Sequence, residues 1–521
     1  STGEVNITGG TFSGNSAANG GVIYNSNGTL DISGGEFKSN KATGNSSATN
    51  GGGVIYNKGT VTISNGTFNN NSATNGGVIY NDGGTVNISN GTFSGNSATT
   101  GGVIYNANSG TVTISGGTFG GTASGAGNSA TSNGGVVYNY GTLSVDGGSF
   151  VSNSATSNGG VIYNCDSGTS NISNGTFNQN IAGAGGVIYN CGNVTISKTP
   201  YFTNNSSNLS AGGVIYNANT NGAATITTIS GGVFTGNYET ENNVRGDDVD
   251  ICTYANITLA LSGTEFTNLN VYLGNNETIT VSEALPSTAN ITIFTSYANY
   301  PLDGDNAAVE FTNESDVDSA RFKSANEGYV VLQGVTNPTK LYLVQTSDLV
   351  VKVSQRTRAG AFTNIRYSTT LEPAFEYANT LSGPTSQTAV YIEILKNCDF
   401  SGVLELSKSS SSPKYIKLTG SGLIGVDSSS AYIKVNGVTL MVSSDDALDI
   451  TQNTSVEKLD GSLFALYNGA RLSISSGISI GSIKSTTGAI GVGLDDSDCA
   501  VEISGVNFYK NKSESGAVIY A

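Results

Sequence analysis

The sequence predicts an all-β, right-handed parallel β-helix with three short strands per coil of about 25 residues and a short cap helix near residues 370–381. Three observations carry this. The segment GGVIYN recurs, ending at Asn25, Asn57, Asn81, Asn106, Asn164, Asn190 and Asn217, with GGVVYN ending at Asn139. Phe followed three residues later by Asn alternates with it, at Phe12/Asn15, Phe37/Asn40, Phe68/Asn71, Phe93/Asn96, Phe150/Asn153, Phe177/Asn180, Phe202/Asn205 and Phe234/Asn237. Between each Tyr and the next Phe lies a stretch such as Gly59 to Gly66 (GTVTISNG), in which apolar and polar residues alternate with the period of a strand.

The period follows from the tyrosines. From Tyr24 through Tyr56, Tyr80, Tyr105, Tyr138, Tyr163, Tyr189 and Tyr216 the steps are 32, 24, 25, 33, 25, 26 and 27 residues. The two long steps localise to Phe37–Tyr56 and Phe119–Tyr138, each 19 residues where Phe68–Tyr80 is 12, so both insertions are expected in one corner. A coil this small buries little by itself and depends on neighbours stacked at roughly 4.8 Å, which supply backbone partners above and below.

Repetition then turns positions into columns. In GTVTISNG, Val61 and Ile63 face the core and Thr60, Thr62 and Ser64 face out. In VIYN, parity allows either Ile and Asn inward or Val and Tyr inward. The first is preferred, because an internal column of Asn25, Asn57, Asn81, Asn106, Asn139, Asn164, Asn190 and Asn217 can hydrogen-bond amide to amide. It leaves Tyr24, Tyr56, Tyr80, Tyr105, Tyr138, Tyr163, Tyr189 and Tyr216 as an outer aromatic stripe. Outside too run Thr29, Thr60, Thr85, Thr111, Thr142, Thr169 and Thr225, beside a mixed column ending Asn171, Thr195 and Thr227, too irregular for an ice-binding face.

Composition excludes several function classes. With 71 Gly but only 7 Pro and 12% charged residues among 521, the chain is neither collagen-like nor a solvated disordered tail. His and Trp are absent, which removes Ser-His-Asp and Cys-His nucleophiles and His-bound metals. The net charge of −16 disfavours nucleic acid and anionic lipid as partners. Residues 1–238 hold six carboxylates, Glu4, Asp31, Glu36, Asp82, Asp146 and Asp166, so polar uncharged residues must keep that half soluble. No apolar run reaches membrane-span length and no signal-peptide pattern opens the sequence, which therefore reads as mature or a fragment.

The alternation of GGVI with FxxN resembles the repeats of chlamydial polymorphic outer membrane proteins, which carry GGA-[ILV] and FxxN tetrapeptides. The likeness covers roughly residues 1–255 and reappears near the C-terminus. It implies an autotransporter-like β-helical surface adhesin. This chain departs from the pattern in having Val where that family favours Ala, Gly-Gly-Thr after Phe119, Thr-Asn-Leu after Phe266, and no C-terminal barrel.

Three regions are expected: regular repeats at 1–252, divergent β-rich coils or a cap at 253–355, and a second β-helical segment at 356–521. GDDVDI, Gly246 to Ile251, stands where a GGVIYN strand would fall. Leu371, Ala374, Phe375, Ala378 and Leu381, with Pro373 in the first turn, predict an amphipathic helix over Thr370 to Leu381 that hides edge strands. Leu463 to Gly477 aligns with Val54 to Gly66, making Tyr467 and Asn468 another copy. The last residues hold Phe508/Asn511 and end at Tyr520 in a GAVIY strand. If residue 1 followed residue 521, Tyr520 and Phe12 would be 13 residues apart, matching internal steps and suggesting head-to-tail stacking or a longer tandem protein.

Among candidate sites, Cys165 and Cys191 follow VIYN directly in adjacent coils, within reach of a disulfide. Arg245-Gly246-Asp247 reads as an integrin-type tripeptide, with a structural role as the competing reading. N-x-S/T sequons at Asn65, Asn87, Asn174 and Asn256 matter only where glycosylation machinery exists. An enzyme would have to use carboxylates, and the dense clusters, Asp247/Asp248/Asp250 and Asp495/Asp496/Asp498, read better as solvated turns. The expectation is a non-catalytic extracellular or cell-surface rod without cofactor or metal, with itself, a host surface or carbohydrate as partner. The alternatives are a carbohydrate-active β-helix enzyme and a monomeric autotransporter passenger.

Overall fold

The computed structural model describes all residues except 1–2, 45–50, 108, 210–211, 219–224, 242–243, 256, 260–267, 275–276, 296–305, 409–413, 493–497, 517 and 521. Asn256, Phe266, Asp495 and Asp496 therefore lie outside the described residues. The fold is a parallel β-solenoid of about 17 turns, with one α-helix among the described residues, somewhat fewer coils than a uniform 25-residue period would give. The chain divides into two compact units, residues 1–299 with 308–327, and residues 300–307 with 328–521.

In the first unit a coil reads β1 (Ile55–Asn57), β2 (Thr60–Ile63), β3 (Thr67–Asn69) and β4 (Ser72–Asn75). Each coil thus has four short strands on three sheets. The second and third segments share one sheet, because Thr142–Val151 and Thr169–Asn178 run through both unbroken. The third face, missed in the sequence, is the Ser-Ala stretch after FxxN, whose alanines Ala130, Ala155 and Ala182 form a small buried column. Registration is strict: Val61 pairs with Val86 and Val86 with Val112, while Phe68 pairs with Phe93 and Phe93 with Phe119.

The interior consists of these columns. Val61, Ile63, Phe68, Val86, Ile88 and Phe93 are fully buried, and consecutive Phe rings from Phe12 to Phe234 stack with centroids 4.7–5.0 Å apart. In VIYN the Ile and Asn face in, and so does the preceding Val: Val54, Ile55 and Asn57 are all 0% exposed. The Gly-Gly pair explains this. Gly76 lies at φ +64°, and a Cβ on Gly77 would sit 2.2 Å from the Gly102 carbonyl oxygen of the next coil. The tight bend turns two successive residues inward, and only glycine lets adjacent coils approach so closely.

The two insertions occupy different corners. In the first, the extra residues follow β-paired Ala42 and precede Gly51, with 45–50 outside the described residues. The second lies between Phe119 and Asn128. The outer Thr column also ends earlier than parity suggested. Asn193 pairs with Ile226, not Thr225, so Thr227 turns inward and is 0% exposed.

Past Phe234 the Ser-Ala face ends in an antiparallel hairpin, Tyr238–Glu241 with Val244–Arg245. Ile251–Thr253 takes the VIYN position, pairing Ile215 with Ile251 and Asn217 with Thr253, and looser coils continue to Phe322–Ser324.

The second unit includes the antiparallel pair Tyr329–Gln333 and Lys340–Gln345, then the antiparallel strands β5 (Val351–Arg356) and β6 (Phe362–Ser368), followed by α1 (Leu371–Thr380). Helix α1 buries Leu371, Ala374, Phe375 and Ala378 against the first coil, formed by β7 (Val390–Ile394), β8 (Cys398–Phe400) and β9 (Val403–Ser407). It therefore covers the open end of that stack, as its apolar stripe predicts. Parallel in-register coils follow to Ile519–Tyr520.

Tyr467 and Asn468 are not a structural copy of the repeat. Leu463-Phe464-Ala465-Leu466 occupies the VIYN place, since Phe464 N–H donates to Ala489 O as Ile55 N–H does to Val78 O. Asn468 is exposed at φ +53°. Two residues of string identity had outweighed register.

Close approach at the second glycine yields a test. Gly102→Ala would place a Cβ 2.2 Å from Gly135 O and 2.8 Å from Ser129 O, whereas Gly83, at φ +74°, has nothing within 4 Å of its added Cβ. Urea titrations are expected to show Gly83→Ala costing about 1 kcal/mol of left-handed strain. Gly102→Ala should cost several times more or prevent folding.

Candidate functional site

The corner after Tyr holds the first ladder. Asn25 Nδ2 donates to Asn57 Oδ1 at 2.8 Å, and the chain continues through Asn81, Asn106, Asn139, Asn164, Asn190 and Asn217 at 2.8–3.0 Å. Each amide also reaches its own turn, as when Asn106 Nδ2 donates to Gly110 O at 2.9 Å. The columns are buried, so both amide atoms need partners there. Ser170, standing at a core valine position, donates to Asn164 Oδ1 at 2.8 Å.

A second ladder, not recognised as one from sequence, runs through the FxxN asparagines. Asn15 Nδ2 donates to Asn40 Oδ1 at 2.9 Å, and the series passes through Asn71, Asn96, Asn128, Asn153, Asn180 and Asn205 to Asn237 at 3.0 Å per step. Each Oδ1 also accepts the preceding coil's backbone N–H, as Asn71 Oδ1 does from Asn40. From Asn40 onward each Nδ2 also donates to the Phe carbonyl of the preceding coil, as Asn96 does to Phe68 O. The residue before the ladder position is left-handed in most coils, including Ser39, Asn70, Ser152, Gln179 and Asn204 at φ 53–57°. That conformation points the Asn inward. Asn128, nine residues after Phe119, restores the ladder where the motif is interrupted, which fixed spacing could not reveal.

Both ladders donate in the same direction and end on one coil. Asn217 Nδ2 donates to Thr253 Oγ1 at 3.2 Å, and Asn237 Nδ2 donates to Asp250 Oδ1 at 2.9 Å. Asp250 Oδ2 accepts from Asn270 N–H at 2.9 Å. Asp250-Ile251-Cys252-Thr253 replaces Val-Ile-Tyr-Asn with acceptors at both terminal positions, so the last donors of the two ladders are not left unpaired.

The tyrosines stand outside the core as a stack, with centroids 4.8–5.1 Å apart from Tyr24 to Tyr216. The stack is covered unevenly. Tyr24 is 54% exposed while Tyr56 and Tyr80 are 4% and 3%. Tyr105, Tyr138, Tyr163, Tyr189 and Tyr216 are half-buried. Tyr56 OH donates to Asp82 Oδ2 at 2.6 Å, and Lys58 Nζ lies 3.2 Å from the same oxygen. Burial pushes the Tyr80 and Tyr216 hydroxyls up to about 12.

Cys165 and Cys191 are buried thiols with no S–S bond between them. In-register stacking holds equivalent Cβ atoms about 4.8 Å apart, wider than the roughly 3.8 Å mean of a disulfide, and the two thiols are unbridged in this structure. Burial pushes the Cys165 thiol up to about 12, which makes it unreactive at neutral pH. In Arg245-Gly246-Asp247, Arg245 ends the hairpin paired with Thr240, Gly246 N–H donates to Glu239 O at 2.7 Å, and Gly246 and Asp247 are exposed. Asp250, Asp247 and Asp248 do not form a catalytic group, because Asp250 is buried as the ladder's acceptor while Asp247 and Asp248 are exposed. Among the described residues no group of three or more His, Cys, Asp or Glu could hold a metal, and no helix is long and apolar enough to cross a membrane.

Two substitutions test the ladders. Asn106→Leu would remove one of the two hydrogen bonds made by each of Asn81 Nδ2, Asn139 Oδ1 and Gly110 O, which keep Gly84 O, Gly141 N–H and Thr142 N–H, and denaturant unfolding should show a loss of about 1–3 kcal/mol. Burial pushes the Asp250 carboxyl up to about 7 and raises that of Glu239 as well, with Asp248 adding repulsion at Asp250. Folded values above the unfolded ones mean that stability is full below about pH 4 and is lost as pH rises through about 7. Urea midpoints should therefore fall from about pH 5 to about pH 7.5, and the slope should shrink in Asp250→Asn.

Comparison with known proteins agrees with this architecture. Residues 65–82, which include FxxN and GGVIYN in succession, match the Chlamydia polymorphic membrane protein (Chlamydia_PMP) repeat. No curated protein matches the chain. The chain is a β-helical repeat protein similar, through that segment, to the repeat of Chlamydia polymorphic membrane proteins.

Proposed function

We propose that the chain is a non-catalytic scaffold on a cell surface, a stack of coils whose solvent-facing tyrosine and turn edge makes adhesive contacts. The observation that carries this reading is the use of chemistry-bearing groups for internal support. The asparagines are consumed by the ladders, and Asp250 and Glu239 act as buried acceptors for Asn237 and for Gly212 N–H. What varies from coil to coil is the outer edge, where the residue after VIYN is Lys58, Asp82, Ala107, Tyr140 or Cys165. An invariant interior with a variable rim suits a protein that presents surface rather than one that closes around a substrate. The similarity to a repeat of Chlamydia membrane proteins supports a surface location.

Self-association belongs to the same reading. The N-terminal strand Glu4–Ile7 and the C-terminal strand Ile519–Tyr520 leave Val5, Ile519 and Tyr520 exposed at 50%, 43% and 41%. A second copy stacked head to tail would cover these edges.

Beads coated with the folded chain are expected to bind cultured epithelial cells several-fold more than beads carrying heat-unfolded chain at equal density. Equal binding would overturn the adhesive reading.

A further inference from the structure

Turn length after VIYN varies along the tyrosine edge, with two-residue turns at Lys58-Gly59, Tyr140-Gly141 and Cys191-Gly192, and the middle one is lined by a further tyrosine. Between Asn139 and Thr142 the turn holds only Tyr140 and Gly141, whereas the flanking turns Asn106–Thr111 and Asn164–Thr169 hold four residues each. The short turn sits back between two longer ones. A recess of about 580 Å³ results, spanning four consecutive coils from Asp82 to Thr169.

Its walls differ from those of the rest of the edge. Tyr140 leaves the ring stack, tilted 57° from Tyr138 and 58° from Tyr105 at centroid distances of 5.3 and 6.2 Å, and is 39% exposed. Tyr138 OH and Tyr140 OH lie 3.3 Å apart, and Ser167 Oγ donates to Tyr140 O at 3.0 Å, which holds the tilted ring in place. Among the described residues, the hydroxyls of Tyr105, Ser109, Thr142 and Thr169 make no hydrogen bond within the protein, and all four side chains line the recess. Asp82, paired with Lys58, supplies a carboxylate at one end, and among the described residues no Lys or Arg side chain lines the cavity.

We infer that this recess binds a short neutral oligosaccharide, with a pyranose face on Tyr140 and sugar hydroxyls on the Ser, Thr and Tyr hydroxyls and Asp82. This rests on the adhesive reading and supplies the chemistry of its contact. The lining favours this class for three reasons. An exposed aromatic face with a few convergent polar groups is the pattern of a small-ligand site. Hydroxyls that both donate and accept match a polyol. Lys58 pairs with Asp82 from outside the lining, and the lining itself offers no free cation for sulfated or carboxylated sugars, which leaves neutral sugars as the better fit. The axial length, three coil steps of roughly 4.8 Å, suits a chain of a few sugar rings.

Saturation-transfer NMR on the intact chain tests this, with cellotriose, laminaritriose and N-acetyllactosamine as neutral probes and a chondroitin sulfate disaccharide as the charged contrast. At least one neutral probe should receive saturation on its ring protons and bind at least ten-fold more weakly to Tyr140→Ala. Thr142→Lys, which fills the recess from an exposed position, should have the same effect. Unchanged melting temperatures would show that both variants are folded. The inference is overturned if no neutral probe binds, if both folded variants bind as wild type does, or if the sulfated probe binds best. Bead adhesion that persists without saccharide binding would sink this inference alone, while saccharide binding without bead adhesion would sink the adhesive reading alone.

Discussion

A coil that returns to its starting edge in about 25 residues buries polar side chains at its corners, and each buried amide needs a partner, which stacking places along the axis. In the first unit this is met by two parallel series of Asn side chains, each amide donating to the next coil and to a nearby carbonyl. The corner carbonyls already accept a backbone N–H from the next coil, as Gly110 O does from Thr142, so the groups that need the ladder are the Asn amides themselves, at a cost of about 1–3 kcal/mol for each left unpaired. Strict register follows, because a slip of one residue would carry Asn, Val and Phe to the outer face together. The even Phe spacing of 4.7–5.0 Å is the packing counterpart of the same constraint.

A one-directional series needs an end. Asp250 and Thr253 provide it in a single coil by placing acceptors where Val and Asn stand elsewhere. The second unit meets the constraint differently. Leu406, Val435 and Leu466 form an aliphatic column at the position equivalent to the first ladder, which removes the amide and its need for a partner. At the other corner Asn511 returns, its Nδ2 donating to Ile480 O and its Oδ1 accepting from Ile483 N–H. Lys510 before it is left-handed at φ +53°, as are the corner residues of the first unit.

What was legible in the sequence is what repeats with a fixed offset inside one strand. Val61 and Ile63 inward, Asn57 inward with Ile55, and the helix at Leu371 all follow from period and parity. Features that cross a corner were harder to read. Val54 faces in beside Ile55 because the Gly-Gly bend breaks alternation, and the FxxN asparagine points in through a left-handed residue that carries no side-chain signature. Asn128 and Asn468 show the two opposite errors of string matching: the first joins a ladder although its spacing is wrong, and the second stays outside although its neighbours look right. The recess at Tyr140 arises from a difference of two residues in turn length, visible only once the coils are stacked.

The central claim is that the asparagine side chains are internal hydrogen-bonding elements rather than surface polarity. Hydrogen exchange of the Asn106 side-chain amide, followed by NMR on selectively labelled protein, tests it most directly. The account predicts protection comparable to that of the adjacent Tyr105 backbone amide, because both open only when coils separate. Exchange of the Asn106 side-chain protons at the rate of a free amide, while the Tyr105 backbone stays protected, would contradict it.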